Sequence, residues 1–160
     1  MLPITMWQSK RLVGSDFCGL VEEVGEAVTH YSVGDRVYGM VNQIHTGTSV
    51  DRISVSTRNL CHSPKNLTSE VAACVPLAAL TALQALRDLA KVQKGCRVLV
   101  NGASGGVGSF AVQIATHFGA LVTAVTSERN VDWMPGLGAL STLDYGKVDF
   151  TKYREAFDVV

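Results

Sequence analysis

The sequence predicts an α/β chain in which short, glycine-punctuated β-strands, as in a small barrel, precede the opening units of a doubly wound parallel sheet. Three observations carry this. Apolar runs separated by glycine fill residues 14–39. An Ala- and Leu-rich helical texture begins after Ser63-Pro64-Lys65-Asn66, and a strand, glycine turn, helix and second strand succeed one another between Arg97 and Thr126. The change of texture puts a domain boundary after residue 66, with residues 1–66 as the β-rich part and residues 67–160 as the alternating part.

In order, residues 1–13 form an irregular lead-in, and Gly14-Ser15-Asp16-Phe17-Cys18-Gly19 opens a series of short strands and tight turns that closes on Val33-Gly34-Asp35-Arg36-Val37-Tyr38-Gly39. Ile53-Ser54-Val55-Ser56 alternates apolar and polar residues and predicts one more half-buried strand. Ser69 and Glu70 stand where a first helical turn carries polar caps. Pro76 should split this Ala- and Leu-rich segment into a short helix over 69–74 and a longer one over 79–91, on which Leu80, Leu83, Leu86 and Leu89 share a face.

Arg97-Val98-Leu99-Val100 then reads as a buried parallel strand, and the glycines after it force a turn. From Val107, apolar Phe110, Ala111, Ile114, Ala115 and Phe118 recur at helical spacing, with Gly119 as a left-handed C-cap. Leu121 to Thr126 is a second strand. A helix over 130–138 carries Pro135 and Gly136 in its middle and should be short or distorted. Leu140 to Leu143 predicts a third strand ending at Asp144-Tyr145, Tyr153 to Phe157 a helical turn, and Asp158-Val159-Val160 the start of a further strand.

A strand, glycine turn and helix in this order aim free N–H groups and the positive helix end at whatever sits over the turn, which favours a phosphate. Ala103-Ser104-Gly105-Gly106-Val107-Gly108 fits the dinucleotide fingerprint with Ala in the first place. The weaker reading is a merely structural glycine turn. A P-loop is excluded, because Ser109 rather than Lys comes after Gly108. About 20 residues on, where such folds state their choice of cofactor, stands Thr126-Ser127-Glu128-Arg129-Asn130. Ser127 and Arg129 suit the 2′-phosphate of NADPH, which is favoured. Glu128 would suit a ribose hydroxyl of NAD, and both Ser127 and Arg129 could instead merely cap the next helix.

The 14 basic and 14 acidic side chains cancel without any Lys or Arg run, so a small molecule is expected as partner, not nucleic acid or a membrane. Residues 1–14 lack an apolar core of signal-peptide length, and Val71 to Leu83 is broken by Pro76 and Thr81, which suggests the cytoplasm. Cys18, Cys61, Cys74 and Cys96 are scattered without a C-x-x-C pair and read as small buried hydrophobes. His30, His45, His62 and His117 form no recognisable constellation, so no catalytic residue is assigned.

Taken together, Gly14 to Gly19 with Gly25, Gly34-Asp35-Arg36-Val37, Pro76-Leu77-Ala78-Ala79-Leu80-Thr81-Ala82-Leu83-Gln84 and Asn101 to Gly108 resemble the medium-chain dehydrogenase/reductase superfamily. Within it they resemble the zinc-free quinone oxidoreductase-like (zeta-crystallin-like) branch, over Gly14 to Val160. The resemblance implies a partial GroES-like β-barrel domain followed by a partial Rossmann domain. It implies NADPH-dependent hydride transfer to quinones or α,β-unsaturated carbonyls, with Thr81 near the nicotinamide, Gly105, Gly106 and Val107 of the Ala103 to Gly108 turn meeting the pyrophosphate through backbone, and Ser127, Arg129 and Tyr145 around the 2′-phosphate. No metal is expected, since Ser15 stands where zinc-dependent relatives carry His and their four-Cys lobe has no counterpart here.

The resemblance also implies that opening strands before Gly14 and strands four to six of the nucleotide fold are missing, leaving the first parallel strand as a bare edge. Little turnover by this chain alone would result, unless a partner supplies a strand, and a homo-oligomer remains open. The alternative is a non-catalytic nucleotide-binding or interaction module. A short-chain dehydrogenase is disfavoured: Asn101 to Gly108 resembles that family's turn, but Tyr145 is followed four residues on by Asp149 and Tyr153 by Phe157, so its Tyr-x-x-x-Lys pair is absent.

Overall fold

The computed structural model describes residues 13–41 and 47–160, without the side chains of residues 154 and 155. Residues 1–12 of the lead-in, and His45, lie outside the described residues. The chain packs as two compact units, Met1–Leu77 and Ala78–Val160.

In the first unit, β1 (Asp16–Leu20), β2 (Arg36–Met40) and β3 (Leu60–His62) form an antiparallel sheet in that order, with Cys18 opposite Tyr38 and Tyr38 opposite Cys61. Gly39 is dictated by closeness: a Cβ there would lie 2.1 Å from the Asn59 carbonyl oxygen. Arg36 Nη2 donates to the Pro64 carbonyl at 2.6 Å and Cys18 Sγ to Ser63 Oγ at 3.7 Å, tying the segment after β3 to the sheet. Helix α1 (Ser69–Ala73) is capped by Thr68, whose Oγ1 accepts the Val71 N–H. The helical texture thus begins inside this unit.

The strand expected over Ile53 to Ser56 does not form. Ile53 and Val55 are half-buried and Ser54 and Ser56 exposed, so the alternation is one of burial without sheet pairing. Ser56 Oγ accepts the Arg58 N–H and starts a 3-10 turn, Thr57–Asn59, which leads into β3. Pro76 splits the segment as expected, into α1 and helix α2 (Pro76–Leu83), but the second helix starts at the proline itself and not at residue 79, because a first-turn residue needs no N–H donor. A π-helical stretch, Gln84–Leu89, then closes with the Ala90 N–H on the Ala85 carbonyl. The wider turn shifts the register. Ala82 and Leu86 are buried, while Leu80 and Leu89, assigned to the same face by spacing, are 41% and 80% exposed.

In the second unit, β4 (Arg97–Asn101), β5 (Leu121–Thr126) and β6 (Ser141–Asp144) form a parallel sheet in the order β4-β5-β6, with Val98 beside Val122 and Ala124 beside Thr142. The crossover helix α3 (Gly106–His117) buries Val112 and Ala115 against Val98, Val100, Val122 and Ala124. This is the apolar set that strand burial and helical spacing predict. Two 3-10 segments, Glu128–Trp133 and Pro135–Leu137, replace the distorted helix, and Gly138 ends them at φ +101°. Met134, which joins the two, is fully buried in the core, and Leu137 packs against it.

The edge of β4, expected to be bare, is covered over its amino-terminal half. Val159 bridges Val98 in parallel, the Leu99 N–H reaches the Val159 carbonyl at 2.9 Å, and the Asp158 N–H reaches the Arg97 carbonyl at 2.9 Å. The Arg97 guanidinium grips Asp158 through two nitrogens, at 2.8 and 3.2 Å. Hydrogen bonding to Arg97, from side chain and backbone, lowers the Asp158 carboxyl to about 2. The segment before it, Phe150–Ala156, is 3-10. Among the described residues no helix is long and apolar enough to cross a membrane.

Candidate functional site

The glycine turn sits where β4 ends and α3 begins. Gly102, at φ +71°, reverses the chain, and its carbonyl accepts the Gly105 N–H at 2.9 Å. Ala103 is fully buried and its N–H is bonded to the Val125 carbonyl at 2.9 Å, so it builds the turn. A Cβ on Gly108 would lie 2.2 Å from the Gly102 oxygen and 2.8 Å from Ala103 Cα, which lets α3 start hard against the turn. Gly106 is the opposite case: nothing lies within 4 Å of where its Cβ would be. As first-turn residues of α3, Gly106, Val107 and Gly108 have no carbonyl one turn back, and among the described residues no hydrogen bond occupies their amides. Val107 is itself exposed. The turn is open and its donors unclaimed, which fits an anion held by backbone.

A polar cluster continues from the turn to the end of β5. Thr126, 1% exposed, donates through Oγ1 to Ser104 Oγ at 2.8 Å. Asn130 Nδ2 donates to Ser104 Oγ at 3.0 Å and to Ser127 Oγ at 3.2 Å. Ser104 and Ser127, 23 positions apart in sequence, are therefore brought together through one amide.

At the neighbouring strand end the Tyr145 N–H bonds the Thr126 carbonyl at 3.1 Å, and the Tyr145 side chain is 59% exposed. Arg129 is exposed, and among the described residues its guanidinium has no hydrogen-bond or ion-pair partner. Glu128 does have one: Lys147 Nζ pairs with its Oε1 at 2.5 Å and lies 3.8 Å from Asp144 Oδ2. The Glu128 hydrogen bond and charge, with Asp144 behind them, raise the Lys147 amine above its ordinary value. Thr81 stands exposed on α2.

Asn130 and Lys147 were not singled out from sequence. Asn130 acts across 26 positions and Lys147 across 19, separations at which no local pattern signals contact. The cue available was the Asx and Lys chemistry at the two strand ends, where doubly wound sheets gather ligands. No group of three or more His, Cys, Asp or Glu able to hold a metal occurs among the described residues.

Comparison with known proteins gives this arrangement a lineage. The family described as the alcohol dehydrogenase GroES-like domain matches residues 4–74. A mouse protein named NAD(P)H oxidoreductase RTN4IP1, mitochondrial, is 39% identical over 137 residues, covering 83% of this chain and 35% of that protein. The solved quinone oxidoreductase from Coxiella burnetii superposes with a TM-score of 0.79 at 33% identity, over 88% of this chain and 44% of its own. The solved CurK enoyl reductase superposes with a TM-score of 0.80 at 34% identity, over 91% and 44%. This chain thus spans less than half the length of these relatives. With an antiparallel GroES-like unit leading into a parallel sheet and glycine turn, it belongs to the medium-chain dehydrogenase/reductase superfamily.

Proposed function

We propose that this chain supplies the cofactor-binding part of an NADPH-dependent, zinc-independent oxidoreductase that delivers hydride to quinones or α,β-unsaturated carbonyls. The observation that carries this reading is the glycine turn, where Gly106 faces open space and the amides of Gly106, Val107 and Gly108 have no partner among the described residues. Three convergent N–H groups at a helix start hold a diphosphate bridge without any cationic side chain. The bound nicotinamide would supply the hydride, and the acceptor's carbonyl would take up the developing charge.

The choice of the phosphorylated cofactor is supported by the strand ends. Lys147 occupies Glu128, the acid that would otherwise bind a ribose diol, while Arg129 is left exposed and unpaired among the described residues. Ser127, Arg129 and Tyr145 are the groups proposed around the 2′-phosphate, and Thr81 is proposed beside the nicotinamide. Zinc independence is supported by Ser15 at the position where zinc-dependent relatives place a histidine. The four thiols Cys18, Cys61, Cys74 and Cys96 suit a reducing compartment, and the cytoplasm is the proposed location.

Titration of the chain with NADPH and NADH by cofactor fluorescence tests the assignment. NADPH should bind the tighter, and equal affinity would remove the role given to Arg129. A second reading, a non-catalytic nucleotide-binding or interaction module, is favoured by a cavity of about 130 Å³ beside β4, lined by apolar Leu99, Phe150, Phe157 and Val160. NADPH oxidation with a small naphthoquinone separates the two, since turnover by this chain excludes the second.

A further inference from the structure

Resting on that reading of the site, we propose that Asn130 is a positioning residue: it makes the hydroxyls of Ser104 and Ser127 donors toward the phosphate oxygens of the cofactor. A serine hydroxyl has one proton and two acceptor positions. Ser104 Oγ fills both acceptor positions, with Thr126 Oγ1 at 2.8 Å and Asn130 Nδ2 at 3.0 Å. Its own proton is left with no inward acceptor and is presented outward. The amide's second proton goes to Ser127 Oγ at 3.2 Å, so that hydroxyl accepts from Asn130 and keeps its own proton for another acceptor.

Thr126 cannot turn to water, being 1% exposed, so the inner end of this relay is fixed by the core. Its outer ends are Ser104, in the glycine turn, and Ser127, two residues before Arg129. A group that only accepts hydrogen bonds, such as phosphate, matches these two hydroxyl donors. One side-chain amide therefore couples the diphosphate end of the site to the end that selects the 2′-phosphate.

Asn130→Asp tests this with almost no change of shape. A carboxylate at that position accepts from both hydroxyls, drawing their protons inward, and adds a negative charge. Calorimetric titration of the full chain with NADP+ and NAD+ should show NADP+ binding weakened about tenfold or more. The loss for NAD+ should be smaller, because only the Ser104 contact is shared. A purely structural role would weaken both in proportion and lower the melting temperature of the unliganded protein to match. Thr126→Val removes one donation to Ser104 from the core side and should weaken both dinucleotides roughly threefold. It carries the test if Asn130→Asp does not fold: the weakening should come without a matching fall in the melting temperature of the unliganded protein, and unchanged affinity, or a loss that tracks the melting temperature, would overturn the proposal.

Asn130→Asp binding NADP+ within about twofold of the wild type would overturn the proposal while leaving the cofactor site standing. Wild-type protein binding neither dinucleotide would overturn the reading of the site and this inference with it.

Discussion

Two alanine substitutions two residues apart, Gly106→Ala and Gly108→Ala, separate what the turn does for the fold from what it does for a ligand. At Gly108 the new Cβ falls 2.2 Å from the Gly102 oxygen, more than 1 Å short of ordinary contact, and the obstacle is backbone. The start of α3 cannot simply slide away, because Val112 and Ala115 are fully buried against β4 and β5. Overpacking of this kind destabilises by roughly 1–3 kcal/mol, which lowers the melting temperature by about 2–4 °C per kcal/mol in a chain of this size. At Gly106 no atom lies within 4 Å of the added methyl. There the fold should melt within a few tenths of a kcal/mol of wild type, or gain slightly from reduced freedom of the unfolded chain. The methyl instead occupies the approach to the free amides, and NADPH affinity should fall about tenfold or more in a fluorescence titration. Wild-type NADPH affinity in Gly106→Ala would mean that no diphosphate lies over that glycine, and the argument from the open turn would fail.

Lys147→Gln leaves the Glu128 carboxylate uncompensated beside Arg129, so the preference for NADPH over NADH should fall severalfold in competitive titration, and Glu128→Gln in the same chain should restore it. The Asp158 carboxyl is lowered to about 2 from an ordinary 3.8, so the folded state holds its proton less tightly than the unfolded chain does. Its stabilising effect is complete above about pH 4 and is lost as pH falls towards 2. The melting-temperature gap between wild type and Asp158→Asn should accordingly be constant from neutrality down to about pH 4 and shrink below it.

The parallel unit was more legible than the antiparallel one for a physical reason. Val98 to Val100 are buried, as are Val122 and Ala124 to Thr126, so the chain must write them as apolar runs, and between them Gly102 is required by its φ of +71° and Gly108 by the 2.2 Å approach. β3 is three residues long with two of them exposed, and no such run marks it. Alternation at Ile53 to Ser56 looked more strand-like than the strand that formed, because alternation reports which side is buried and not whether a neighbour is bonded. The leucine stripe failed first on its own spacing: steps of three residues fall short of the helical turn, so Leu89 drifts to the side opposite Leu80, and the π stretch from Gln84 alters only its second half. In the site, the backbone groups were legible because glycine spacing encodes them locally. Asn130 and Lys147 were not, since both act on partners that only the strand order brings near.

The pairing of Asp158 and Val159 with β4 bears on the site as well as on the edge. In a doubly wound sheet the ligand crevice opens beyond the carboxyl end of the first strand, where the strands on either side of it lead away in opposite directions. β5 and β6 lie on one side of β4, and residues 158–159 bond its other edge at Arg97 and Leu99. The first strand is therefore flanked on both sides at its amino-terminal half, while the glycine turn emerges from its carboxyl end. Both flanks fix the direction of β4, and with it the direction in which the amides of Gly106, Val107 and Gly108 point. The Arg97 to Asp158 pair, which holds the outer flank through two side-chain bonds and one backbone bond, thus sits at the base of the strand whose other end presents the proposed cofactor site.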